Sequence, residues 1–164
     1  MFELEKHYEQ YSDDIYKFIY FLTFNKQLAE DLMQETFIKA FEARSSFRSE
    51  AQVSTWLHAI AKNCTYDYLK KKSNRYFLPF GMMPDPKDYQ ISAEDVAHLE
   101  EDKRELYVAL SKLKYDYRAA IVLRKIERLP IKDVARILNW TESKVKNNTE
   151  RGLQHLKRIM RGEV

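Results

Sequence analysis

The chain has 164 residues, 45% apolar and 32% charged, with only 3 Gly and 4 Pro, which suits one or two small helical domains with packed cores. No apolar run approaches the ~18 residues of a membrane span, the N-terminal stretch MFELEKHYEQ lacks a signal-peptide apolar segment, and one cysteine cannot form an internal disulfide. A cytoplasmic protein with no membrane insertion of its own is therefore expected.

The net charge of +3 is small but unevenly spread. Residues 1–43 carry 4 basic and 9 acidic side chains, net −5, and residues 44–75 carry 7 and 2, net +5. Residues 76–110 carry 3 and 8, net −5, and residues 111–164 carry 14 and 6, net +8. Such segregation predicts two surfaces for a polyanion and at least one acidic surface for a basic partner.

In chain order, Tyr8, Tyr11, Ile15, Phe18, Ile19 and Leu22 predict a helix over about 4–24. A second helix, about 27–43, has the apolar stripe Ala29, Leu32, Met33, Thr36, Phe37, Ala40 and Phe41. Its opposite side carries Asp31, Gln34, Glu35 and Ile38 at i, i+3, i+4, i+7, an acidic row with one apolar residue. The stretch RSSFRSEAQ breaks the pattern, and a third helix follows over about 53–72, STWLHAIAKNCTYDYLKKK. Its buried side is expected to be Trp56, Leu57, Ile60, Ala61, Cys64 and Tyr68, with Cys64 a small core residue. Another face sets Asn63, Asp67, Lys70 and Lys71 side by side. An amide, a carboxylate and two ammoniums can touch base edges and phosphates. Phe47 and Arg48 lie on the preceding loop; Phe47 reads equally well as core or as a platform for an unpaired base.

Residues 74–93 hold three of the four prolines, so no long helix crosses them and they are read as a linker. Tyr76, Phe77, Phe80, Met82 and Met83 are apolar for a free tether; either they pack on a domain, the favoured expectation, or they lie in a partner's groove. Four helical segments follow: AEDVAHLEEDKRELYVALSKL, YDYRAAIVLRKIE, PIKDVARILNW and TESKVKNNTERGLQHLKRIM. Pro130 suits a helix first turn and Thr141 an N-cap. The last two segments read as a helix-turn-helix, with Ile131, Val134, Ala135 and Leu138 facing Val145, Leu153 and Leu156. The outer face, Lys144, Lys146, Asn147, Asn148, Glu150 and Arg151, suits a recognition helix in a major groove. An ordinary helical hairpin would look similar; the basic charge gathered around this one favours DNA.

Nothing points to catalysis. His7, His58, His98 and His155 are scattered, no Cys/His spacing suggests a metal site, no Gly-rich phosphate loop or G-x-S-x-G is present, and no cofactor is implied.

Three blocks together carry a resemblance: AEDLMQETFIKAF at 29–41, SFRSEAQVSTWLHAIAKNCTYDYLKKK at 46–72, and DYRAAIVLRKIERLPIKDVARILNWTESKVKNNTERGLQHL at 116–156. The chain resembles bacterial RNA polymerase sigma factors of the extracytoplasmic-function (ECF) group of the sigma-70 family. The resemblance implies an all-α protein of two small helical domains, 1–73 and 94–164, joined by the linker 74–93. It implies core RNA polymerase (clamp and flap regions), promoter DNA and an anti-sigma protein as partners. By similarity, Asp31, Gln34, Glu35 and Ile38 would meet the clamp. Ala43, Phe47, Ile60 and Asn63 would help capture a base flipped from the −10 element, with Arg48, Lys62, Asp67, Lys70 and Lys71 on neighbouring bases and phosphates. Arg128, Lys144, Lys146, Asn147, Asn148 and Arg151 would hold the −35 duplex. The chain departs from the family at Asn148, where Arg is usual, at Gly152, where Ala is usual, and in lacking Gly or Pro before the recognition helix. The alternative is a stand-alone helix-turn-helix regulator, which has no need of the acidic row or of the second basic block.

Overall fold

A computed structural model describes residues 1–48, 52–74, 91 and 93–163. Every regular element among them is helical, as the periodicity requires. Helices α1 (Leu4–Thr23), α2 (Lys26–Glu42) and α3 (Val53–Asn74) pack on one another as a first lobe, with a 3-10 turn at Arg44–Ser46 after α2. Asn25 caps α2, its side chain accepting from the Leu28 N–H at 3.0 Å. Phe24 ends α1 in the left-handed region, at φ 49°.

The second lobe holds α4 (Ala93–Val96), α5 (Glu101–Ser111), α6 (Tyr115–Ile121), α7 (Ile131–Leu138) and α8 (Glu142–Met160). The single acidic helix expected from residue 93 is thus two. Its break has no Gly or Pro; Arg104 folds back instead, donating to the carbonyls of Val96, Ala97 and Leu99 at 3.3, 3.2 and 3.0 Å. A guanidinium supplies the partners that helix-end carbonyls lack. Helix α6 runs on into a π turn, Val122–Ile126.

The helix-turn-helix forms with local chemistry at each joint. Pro130 sits at the N-cap of α7, one residue before the helix rather than in its first turn. Asn139 closes α7 at φ 56°, and the Trp140 N–H reaches the Ala135 carbonyl at 3.0 Å. Asn tolerates the left-handed conformation, so it can close the helix as Gly commonly does at helix C-termini. Thr141 caps α8 as expected, accepting from the Lys144 N–H at 3.1 Å. Val145 is fully buried between the two helices. Gly152 has a packing reason: a Cβ there would stand 2.9 Å from Ile121 Cδ1 and 3.0 Å from Tyr117 Cβ, so its absence lets α8 lie against α6.

The lobes touch. Helix α3 packs along α7 and α1 against α6, so the apolar core runs from one lobe into the other. That contact buries His58, which lies off the predicted stripe of α3. On α3, Tyr68 is 40% exposed while Leu69, one position on, is 1% exposed; Trp56 and Ile60 are only partly buried. Phe41 and Tyr8 also face outward rather than joining the core. Cys64 is buried as expected, and burial pushes its thiol pKa up. The linker aromatics and methionines fall outside the described residues.

Candidate nucleic-acid and partner interfaces

On α2 the core takes Ala29, Leu32, Met33, Thr36, Phe37 and Ala40. Asp31, Gln34 and Ile38 are left exposed and Glu35 partly so, which puts the acidic row on the outer side, as the spacing predicted. Glu35 meets Lys39 at 2.9 Å with both side chains about half in solvent. Such a surface pair is worth well under ~1 kcal/mol and yields readily to a partner. Ile38 is 59% exposed and edges an apolar groove between α1 and α2 of about 700 Å³, floored by Leu4, Tyr8, Phe37 and Phe41 and rimmed by Glu5, Glu9 and Glu42. Sequence reasoning missed this groove because it assigned Tyr8 and Phe41 inward; the acidic rim was the available signal.

The loop after α2 is held tightly. Arg44 donates to the Phe41 carbonyl at 2.7 Å and lies over the Phe41 ring at 4.0 Å, and the Ser46 hydroxyl donates to the Ala43 carbonyl at 2.6 Å. This anchors Ala43, half-buried, and presents Phe47, half-buried, against Trp56 with ring centroids 5.0 Å apart. Phe2 also meets Trp56, edge to face, with ring centroids 5.4 Å apart. One face of Phe47 therefore packs, and part of the side chain remains accessible. From Trp56 a partly exposed row runs up α3 through Ile60 and Asn63 to Asp67, Lys70 and Lys71, at helical spacing. Arg48 is exposed at the loop's end. Lys62 sits half-buried beside this row; burial lowers its pKa against the opposing charge of Asp67. An aromatic shelf leading into amide, carboxylate and ammonium groups can stack an unpaired base and hold its backbone.

On α8, Lys144, Lys146, Asn147 and Arg151 are exposed and Asn148 half so, on the side away from Val145, Thr149, Gly152 and Leu156. Lys144 Nζ rests 4.5 Å over the Trp140 ring. The Asn148 amide donates to the Lys144 carbonyl at 2.9 Å, which holds that side chain along its own helix. Arg128 is exposed, apart from the α8 row, in the segment before α7 at φ 57°. The structure thus brings five of the six predicted duplex contacts onto one helix.

Sequence reasoning gave no role to His58, Arg118 or Glu127, which turn out to make polar contacts between the lobes. His58 on α3 meets the Glu127 carboxylate at 2.7 Å, and Arg118 on α6 donates to the Leu22 carbonyl at the end of α1 at 3.0 Å. Among the described residues there is no group of three or more His, Cys, Asp or Glu placed to hold a metal, and no helix long and apolar enough to cross a membrane.

The two lobes coincide with two known families. Sigma-70 region 2 matches residues 7–75, and Sigma-70, region 4 matches residues 103–156. The ECF RNA polymerase sigma factor SigX of Bacillus subtilis is 32% identical over 157 residues, covering 93% of this chain and 81% of that protein. SigM of the same organism is 31% identical over 95% of this chain and 94% of its own length. Among solved structures, the sigma factor RpoE from Bartonella quintana, bound to the anti-sigma factor NepR, superposes with a TM-score of 0.80 at 22% identity, covering 96% of each chain. A stand-alone helix-turn-helix regulator would leave the region 2 match without a use. The chain belongs to the ECF group of RNA polymerase sigma factors.

Proposed function

We propose that the chain binds core RNA polymerase through the outer row of α2, Asp31, Gln34, Glu35 and Ile38, and brings the enzyme to promoters by two separate DNA contacts. The first lobe, residues 1–73, captures an unpaired base of the −10 element. Ala43, Phe47, Ile60 and Asn63 receive it, and Arg48, Lys62, Asp67, Lys70 and Lys71 hold its neighbours. Trapping an extruded base offsets the few kcal/mol that unstacking costs, so melting proceeds by capture. The second lobe, residues 94–164, holds the −35 duplex with Arg128, Lys144, Lys146, Asn147, Asn148 and Arg151, and the segment 74–93 joins them. The chain contributes binding and the polymerase the chemistry. An anti-sigma protein in the cytoplasm restrains it.

The observation that supports this reading best is the pair of oppositely charged outward faces on α2 and α8, each opposite a side that packs in the core. An acidic face suits a basic helical partner, and a Lys/Asn/Arg face suits phosphates and base edges. In a transcription assay with purified core polymerase, promoter-specific RNA is expected only when this chain is added. Glu35→Lys is expected to weaken capture of core while leaving the helical circular dichroism unchanged. Duplex binding without core, and no effect on initiation, would contradict the reading.

A further inference from the structure

A run of aromatic rings leads from α1 to the loop that carries Phe47. Tyr11 stacks on His7, centroids 6.2 Å apart at 11°, and His7 stacks on Phe2 at 4.9 Å and 13°. Phe2 then meets Trp56 of α3 edge to face, at 5.4 Å and 70°, and Trp56 meets Phe47 at 5.0 Å. Burial divides the run. Phe2 and His7 are 5% and 8% exposed, whereas Trp56 and Phe47 are only partly buried.

Local chemistry fixes the buried end. Tyr11 and His7 stand one turn apart on α1, which brings their rings into line. His7 Nδ1 lies 2.8 Å from the backbone nitrogen of Glu3 and 2.7 Å from its carbonyl oxygen, so the ring is tied to that residue in either tautomer. Glu3 is the N-cap of α1 and its own side chain makes no cap bond. The imidazole reaches back to the N-cap N–H in its stead, much as the acid of a capping box does. Phe2 is the next residue back, so the same tie sets where its ring goes.

At the other end, Trp56 and Phe47 are the rings beside which an unpaired base would stack. A stacking surface works best when its rings are already in place, because ordering one loose side chain on binding costs about two- to tenfold in affinity. An edge-to-face contact fixes the angle of a ring as well as its position, since the positive edge of one ring seeks the negative face of the other. An aliphatic side chain at position 2 would fill the space without setting that angle.

We propose that Phe2 is a positioning residue for the −10 site: it holds Trp56, and through Trp56 the ring of Phe47, in the orientation that receives the unpaired base. Phe2 acts without touching DNA. The consequence for promoter opening rests on the base capture proposed above; the ordering of Trp56 does not.

The test uses holoenzyme reconstituted from the full chain and core polymerase, with DNA from a promoter that the wild type transcribes. The DNA is made in two forms, one fully paired and one forked so that the −10 strand is unpaired. The ratio of the two affinities reads base capture alone, since a change in −35 binding moves both equally. Phe2→Leu is expected to lower the preference for the fork about fivefold, with core affinity and helical circular dichroism unchanged. Phe2→Tyr keeps the ring and is expected to restore the preference. In the free chain carrying Trp140→Phe, Trp56 is the remaining tryptophan. Its emission should be quenched more readily by acrylamide in Phe2→Leu than with Phe or Tyr at position 2. If Phe2→Leu loses helicity, Phe2→Met serves, with the same expected directions. An unchanged preference in Phe2→Leu, no restoration by Phe2→Tyr, or a core affinity that falls in step with the preference overturns the positioning role. A lowered preference with unchanged quenching overturns the route through Trp56. A wild type that binds core but shows no preference for the fork defeats base capture and the positioning role with it, and leaves only the ring packing standing.

Discussion

Helices α3 and α8 are both long, both basic on one side, and both proposed to meet DNA, yet the sequence described them unequally. Helix α8 packs inward along one side only, on α5, α6 and α7, so its apolar stripe marks the core and everything else faces out. Helix α3 is packed from two directions, by α1 and α2 on one side and α7 on the other. A single stripe cannot describe it. Thr55, His58, Thr65 and Leu69 are buried along with Leu57, Ala61 and Cys64, while Tyr68 looks outward. The lesson is that hydrophobic periodicity reports one interface at a time, and that buried polar residues off the stripe announce a second.

The largest test of that contrast is on α3 itself. Leu69→Ala should cost about 3 kcal/mol in urea denaturation, whereas Tyr68→Ser should cost under ~0.5 kcal/mol. Equal costs would restore the sequence-based stripe. On α8, Gly152→Val should cost about 2 kcal/mol, because its Cβ meets Ile121 and Tyr117 at 3.0 Å or less. Gly152→Ala should fail to deliver the ~1 kcal/mol that helix propensity alone would give; a clear gain in stability would show that α6 can yield. Thr141→Ala should cost about 1 kcal/mol through loss of the cap on Lys144, read in the same assay.

The smallest effect concerns pH. Burial disfavours the charged form of His58, but the Glu127 carboxylate, the Ser54 carbonyl and the more distant Asp14 outweigh it and raise its pKa above the ordinary 6.5. A raised pKa in the folded state means the contribution is complete below about 6.5 and is lost as pH rises through the folded-state value. Stability of the wild type should therefore fall as pH rises above about 6.5, and the slope should flatten in Glu127→Gln. An identical slope in both proteins would remove His58 from the account.

The sequence carried much of the architecture. The all-helical class, the helix-turn-helix with its Thr141 cap, and the outer placement of Asp31, Gln34, Ile38, Lys144, Lys146, Asn147 and Arg151 follow from period and capping chemistry. The break between α4 and α5 was hidden because a long-range guanidinium, not a breaker residue, terminates the helix. The seam between lobes was hidden too, although one trace existed. The end of α1, FIYFLTF, is apolar on all sides and is buried throughout from Phe18 to Phe24, as a helix covered on two sides must be. Arg118 and Glu127 gave no such trace, since a charged residue in a helical pattern reads as surface until its partner is seen.

The division of labour between the lobes is tested most directly by permanganate footprinting of reconstituted holoenzyme on one promoter, run beside nuclease protection. With Asn63→Ala, thymines of the −10 element should lose reactivity while protection over the −35 element persists; with Arg151→Ala, the −35 protection itself should weaken. Normal melting by Asn63→Ala, or loss of upstream protection in that variant, would contradict the assignment of unpaired strand to α3 and duplex to α8.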